Sequence, residues 1–163
     1  MAAPAIAAST RYTSRGTTRF LWLPAVTTPA SGPTRSEINA GTDLTTQIAD
    51  RNGWSVSSTM IETPDAASRY TSTIPGPISA EDSSFTFYMD REGVDARALM
   101  PRDEEGYVFV MDGGDVAGNK ADLFPVTVVS HSKNREVGGD NADTIVISYA
   151  ITAEPTENVA VPA

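Results

Sequence analysis

The strongest periodicity along the chain has period two. Over 143–152, Ile145, Ile147, Tyr149 and Ile151 alternate with Thr144, Val146, Ser148, Ala150 and Thr152. That is the mark of a strand with one apolar face and one small or polar face. The stretch 83–89 repeats the pattern with Phe85, Phe87 and Met89. Over 106–112, Tyr107, Phe109 and Met111 alternate with Val108 and Val110, so both faces are apolar. Such a strand needs cover on each side, from a helix, a second sheet or a neighbouring subunit. The runs 122–132 and 53–62 also predict strands, the latter through Trp54, Val56 and Met60. Phe20, Leu21, Trp22 and Leu23 predict a first strand that ends at Pro24.

Helical signals are few. Thr34 and Glu37 match a capping box, with Gly41 placed to end one or two turns. The better candidate spans 93–100, where Val94, Ala96, Ala98 and Leu99 precede Pro101. Proline bounds it, because the residue before a proline avoids the helical region. Between 62 and 83 the chain is rich in Pro, Ser, Thr, Asp and Gly, including Pro75-Gly76-Pro77. Without periodicity and too long for a hairpin turn, it reads as a long loop. The expected fold is mainly β: an antiparallel sandwich or barrel with one short α-helix. Its parts are a mobile N-terminal arm over 1–18 and a single domain over 19–163, with the loop 62–83 inside it.

Composition narrows the function. A chain of 163 residues is one domain of ordinary size. It has no cysteine and one histidine, which excludes disulfides, thiolate metal sites, a cysteine nucleophile and any site built on two imidazoles. The net charge is −9, unevenly placed: residues 1–36 carry Arg11, Arg15, Arg19 and Arg35 with no acid, while the rest sums to −13. Sequence-independent binding to phosphates needs clustered cations, so the balance argues against a nucleic-acid binder. Residues 1–8 are small and apolar but lack a basic flank and are interrupted by Pro4, so no membrane segment is expected.

The candidate chemistry resolves mostly into structure. Gly113 to Lys120 approaches a phosphate-binding loop, but Asn119 stands where lysine is needed and Ala121 where Ser or Thr would hold magnesium. Asp112, Asp115, Asp122 and Asn119 offer oxygen ligands without the spacing of a calcium loop. Asp103-Glu104-Glu105 reads as a solvated turn rather than an acid–base pair. His131 lies between Ser130 and Ser132, which in a strand point to the opposite face and cannot form a dyad with it. No enzyme and no cofactor are expected.

Taken in order, several segments have a common likeness. A strand ending in Leu-Pro leads through Pro33-Thr34-Arg35-Ser36-Glu37-Ile38 into Ala40-Gly41-Thr42-Asp43-Leu44-Thr45. This resembles the N-terminal signature of major tail tube proteins of long, flexible-tailed bacteriophages, particularly those of actinobacteria. Asp122-Leu123-Phe124-Pro125-Val126-Thr127-Val128 is similar to that family's late strand, and Ala150-Ile151-Thr152-Ala153-Glu154-Pro155 to its final strand and tail. The resemblance implies a virion protein, assembled in the host cytoplasm, that closes into hexameric rings and stacks them into a tube for genome passage. It implies a tape measure protein, a tail terminator and tail-tip proteins as partners, with DNA crossing the lumen without specific binding.

An acidic lumen repels phosphate, and strand alternation favours Asp50, Glu62, Asp90 and Asp143 as its acids over the turn acids at 103–105. Two other classes stay open. One is a different virion part, a head-decoration or tail-terminator protein. The other is an extracellular carbohydrate-binding sandwich, whose aromatic platform would have to come from Trp22 and Trp54, both in strand patterns that read as core.

Overall fold

The computed structural model describes residues 6, 9, 11–135 and 137–163. Among the described residues ten strands are formed: β1 (Arg19–Leu23), β2 (Thr42–Asp43), β3 (Ile48–Asn52), β4 (Val56–Thr63), β5 (Ser72–Ala80), β6 (Ser83–Tyr88), β7 (Glu105–Met111), β8 (Lys120–Asn134), β9 (Thr144–Ile151) and β10 (Thr156–Ala160). Two short helices accompany them, α1 (Arg35–Ala40) and α2 (Ala96–Leu99), with a 3-10 turn at Pro29–Ser31. The expected antiparallel, mainly β class is what the chain adopts. Eight strands share one antiparallel sheet in the order β2-β1-β7-β8-β9-β6-β3, with β10 pairing β8. Among the described residues, β4 and β5 pair only with each other.

The sheet folds over on itself at β8. Val128 opposes Tyr149 but Ser130 opposes Ser148, so Val129 is an extra residue in β8. Such a bulge bends a strand and shifts its alternation. Before it, Phe124, Val126 and Val128 point into the core; after it, Ser130 and Ser132 point out and His131 in. The two halves then meet face to face. Phe20 of β1 packs edge-on against Phe85 of β6 at 5.4 Å, and Trp54 bridges the halves, stacked on Phe85 and edge-on to Phe124. Aromatic pairs in these geometries add about 0.5–1.5 kcal/mol each beyond the area they bury.

The two-faced strand β7 is covered on both sides. Val108 and Val110 join this main core, while Phe109 and Met111 join a second one with Leu21, Leu23, Val26, Ile38 and Val161. The second core lies under α1, the segment after β1 and the C-terminal end of the chain. On the main-core face of β7, close backbone approach needs glycine: a Cβ on Gly106 would strike the indole of Trp22.

Three expectations change. The segment 62–83 is no loop: β4 and β5 pair from Val56↔Ala80 to Thr63↔Ser72, leaving only 64–71 as the connection. Pro75 and the Gly76-Pro77 bulge fall in a two-stranded ribbon, where each strand has a free edge and a missing N–H is tolerated. The helix at 93–100 shrinks to one turn behind an Asp95 cap, while α1 is longer, because its capping box is fully made: Thr34 and Glu37 each satisfy the other's backbone N–H. The strand expected from residue 53 starts at Val56. Gly53 and Trp54 both have positive φ, 75° and 64°, and turn the chain out of the sheet into the ribbon.

Of the expected arm over 1–18, residues 1–5, 7, 8 and 10 lie outside the described residues. Arg11 to Gly16 are exposed, whereas Thr18 is buried and its hydroxyl donates to the Asp112 carbonyl.

Candidate assembly surfaces

The residues singled out for chemistry are mostly occupied with holding the fold. In the glycine-rich loop between β7 and β8, Gly114, Val116, Gly118 and Asn119 N–H groups donate to carbonyls of Met111, Gly114, Val161 and Val116. They are therefore not free to cradle a phosphate. Asp115 pairs with Arg35 of α1, and Asp122 accepts the Asn158 N–H at 2.7 Å. Half-burial and the nearby Asp122 carboxylate push the Asp112 carboxyl above its ordinary range. No group of three acids or histidines among the described residues is placed to hold a metal. His131 contacts the Met100 carbonyl through Nε2 at 2.8 Å, tying β8 to the end of α2. Asp103 and Glu104 continue the β7–β8 ladder through backbone bonds with Val128.

Trp22 and Trp54 are 2% and 8% exposed. Both belong to the core, so neither forms the exposed platform that a carbohydrate-binding sandwich requires.

What remains exposed and unexplained is surface suited to other protein. The β4–β5 hairpin makes no extensive contact with any other element. It carries Met60 at 79% exposure, with Ile78, Ile74 and Ile61 about half exposed or more. Register puts Val56, Met60, Pro75, Ile78 and Ala80 on one face. An isolated two-stranded ribbon is marginal in water, and contiguous exposed apolar side chains mark a site for another surface.

The half-sheet β3-β6-β9-β8 has two open edges. Among the described residues, β3 pairs with no strand on the side away from β6, and residues 129–134 of β8 pair with none on the side away from β9. Unpaired edges are templates for a further strand. Because each neighbouring pair is antiparallel, β3 and β8 run in opposite directions.

The four acids considered for a lumen are not brought together. Asp50 stands on β3 opposite Thr86, on the outward face of the half-sheet. Asp90 and Asp143 lie just beyond the paired ends of β6 and β9, where the Met89 N–H donates to the Asp143 carbonyl. Glu62 is on the hairpin opposite Thr73, outside the main sheet altogether. The hairpin and the open edges were hidden in the sequence, although the Ser and Thr alternation of β6 and β9 already marked one face as polar.

A family model described as phage tail tube protein matches residues 6–163. No curated protein is significantly similar to the chain in sequence. Among solved structures, the chain is similar to the sheath/tube terminator of the extracellular contractile injection system PVC in its extended state, with a TM-score of 0.62 at 8% identity, covering 91% of this chain and 97% of that one. It is also similar to the tube terminating cap of the anti-feeding prophage, with a TM-score of 0.56 at 12% identity over 97% and 96%. A chain of the anti-feeding prophage baseplate gives 0.56 at 10% identity over 94% and 95%. At these identities the likeness is one of fold.

Proposed function

Because the chain belongs to the phage tail tube protein family, a family of structural components of the virion tail, we propose that it is the repeating subunit of the tube of a long, flexible tail. In this reading six copies close into a ring. Rings stack head to tail, and the genome leaves through the bore. The subunits assemble in the cytoplasm of an actinobacterial host, along a tape measure protein, between tail-tip proteins at one end and a tail terminator at the other.

The observation that carries the reading is the β4–β5 hairpin, whose exposed apolar side chains find little cover among the described residues. A head-to-tail contact between identical subunits joins two different patches, and so propagates instead of stopping at a dimer. The open edges supply the ring contact in the same way. A rotation that carries one copy to the next sets β3 beside the neighbour's β8 running antiparallel, the arrangement already found inside the subunit.

Electron microscopy of the concentrated protein tests this. Uniform tubes are expected, and a closed dimer or trimer at every concentration overturns it. A terminator role is the competing reading, since two of the similar structures are a tube terminator and a terminating cap. It predicts single rings that never stack.

A further inference from the structure

The apolar face of the hairpin has a surface of its own body to fall onto. At the root, Val56, Ile78 and Ala80 share an open groove of about 580 Å³ with Ile151, Ala153 and Pro155 of the β9–β10 corner. Apolar walls with solvent between them are drawn together by the hydrophobic effect. A freely hinged ribbon would fold down and close this groove, so something at its root holds it off.

The root is tightly built. Gly53 and Trp54 leave β3 with φ of 75° and 64°. For tryptophan a positive φ is a strained backbone, which persists only where the surroundings enforce it. The Trp54 N–H donates to the Ser83 hydroxyl at 3.0 Å, and that hydroxyl donates to the Glu81 carbonyl at 3.0 Å. Trp54 Nε1 donates to the Ser84 carbonyl at 3.2 Å, and the Glu81 N–H to the Ser55 carbonyl at 3.1 Å. A Cβ on Gly53 would strike the Asp82 carbonyl, so the outgoing and returning roots touch backbone to backbone. Ser83 is 1% exposed and precedes Phe85 and Phe87 on the inward side of β6, where the alternation calls for an apolar side chain. Among the described residues, it and Thr18 are the buried polar side chains. A buried hydroxyl is costly unless it is bonded, and this one is used as both acceptor and donor.

We propose that Ser83 is the positioning residue of the hairpin. Its hydroxyl ties the outgoing strand at Trp54 to the returning strand at Glu81, fixes the angle at which the ribbon leaves the sheet, and keeps the apolar face from closing on its own body. The proposal rests on the tube reading, in which that face meets a second copy, and names what keeps the face available. A direction set in the free subunit does not have to be ordered at the moment of contact, which favours association. Only the root is held in this way. The exposed ladder beyond it stays free to open locally.

The absence of native cysteine lets two introduced thiols carry spin labels. Ala67→Cys places one on the exposed connection of the hairpin, and Glu157→Cys one on an exposed position of β10. Pulsed electron paramagnetic resonance on the dilute monomer should give one narrow distance in this labelled parent. Ser83→Ala, which removes both bonds, should broaden it toward shorter distances, and Gly53→Ala, which forces the roots apart from the other strand, should broaden it too. Light scattering should show the initial rate of tube formation falling several-fold in Ser83→Ala. Thr18→Ala is the matched control, since it removes the other buried hydroxyl, which donates to the Asp112 carbonyl. It should lower the urea midpoint and leave the distance narrow. An unchanged distance in Ser83→Ala overturns the proposal whatever the variant's stability, because a merely structural serine would lower the midpoint alone. Equal broadening in Thr18→Ala, or a distance already broad in the labelled parent, overturns it as well. A parent chain that never forms tubes overturns the tube reading, whereas the distances in the free subunit decide the clamp by themselves.

Discussion

The β6–β9 pair and the β4–β5 hairpin are both antiparallel ribbons of similar length, and they meet opposite fates. In the first, Phe85, Phe87, Ile145 and Ile147 on one face are completely buried. In the second, Met60, Ile74 and Ile78 on the strands stay at least half exposed. Alternation and cross-strand pairing operate in both. The difference is what lies opposite: β6 and β9 face the other half of the sheet, whereas the hairpin faces solvent. A ribbon's hydrogen bonds do not stabilise it much alone, since they replace bonds to water. Cover does, and among the described residues the hairpin has little.

The largest expected effect comes from exchanging these environments. Phe87→Ala should cost the monomer about 3–5 kcal/mol, the usual range for emptying a buried aromatic site, measured by urea unfolding. The pair Met60→Ser and Ile78→Ser should leave monomer stability within about 0.5 kcal/mol yet abolish tubes. If the hairpin pair unfolds the monomer as Phe87→Ala does, the hairpin packs on its own body in solution and the contrast collapses.

Hydrogen exchange sharpens the same contrast at the backbone. Amides of β6 and β9 should be protected in the monomer, those of β4 and β5 only weakly, and assembly should raise protection mainly in the hairpin. Equal protection of the hairpin before and after assembly counts against its role as a contact.

A smaller effect separates the acids. Asp50→Lys puts a cation on the open sheet face of every subunit and, in the tube reading, should slow genome ejection from reconstituted virions. Glu62→Lys, on the hairpin, should leave ejection from intact tails unchanged. The reverse pattern would move the bore to the hairpin side.

The smallest effect concerns pH. The Glu37 carboxylate accepts bonds from the Thr27 hydroxyl, the Thr34 N–H and the Thr27 N–H, at 2.6–2.7 Å. These hold its pKa at about 2, against an ordinary value of about 4.3. A carboxyl depressed on folding stabilises the native state above its unfolded pKa and loses that contribution as pH falls toward the folded one. The wild type should therefore lose stability between about pH 4 and pH 2 more steeply than Glu37→Gln in thermal melts. Parallel melting curves over that window would remove Glu37 from the account of how α1 is anchored.

Much of the fold was legible residue by residue. The large side chains of β6, β7 and β9 recur every second position, and Thr34 with Glu37 announces the start of α1. β5 was not legible, because Pro75, Gly76 and Pro77 are breakers by local rule and acceptable only where a strand has a free edge. Trp54 was rightly read as core and wrongly as strand. Its indole fills the gap between the half-sheets, while its backbone takes the positive φ that starts the hairpin. Of the four acids, Asp50 lies on a strand of the main sheet and faces outward, but alternation does not say which outward surface a residue shares with others.

By itself the sequence settles which residues of a strand turn inward, since side-chain direction has a fixed period and apolar burial supplies the drive. It also limits the chemistry, because missing cysteine and near-missing histidine close whole classes of site. Cover and edge pairing are different in kind. They depend on where distant segments come to rest: one extra residue at Val129 folds the sheet, and that fold leaves β3 and the end of β8 unpaired on either side of a serine and threonine face. Both are relations between surfaces that no local pattern encodes, so only the tertiary structure decided which faces of this chain remain open to another molecule.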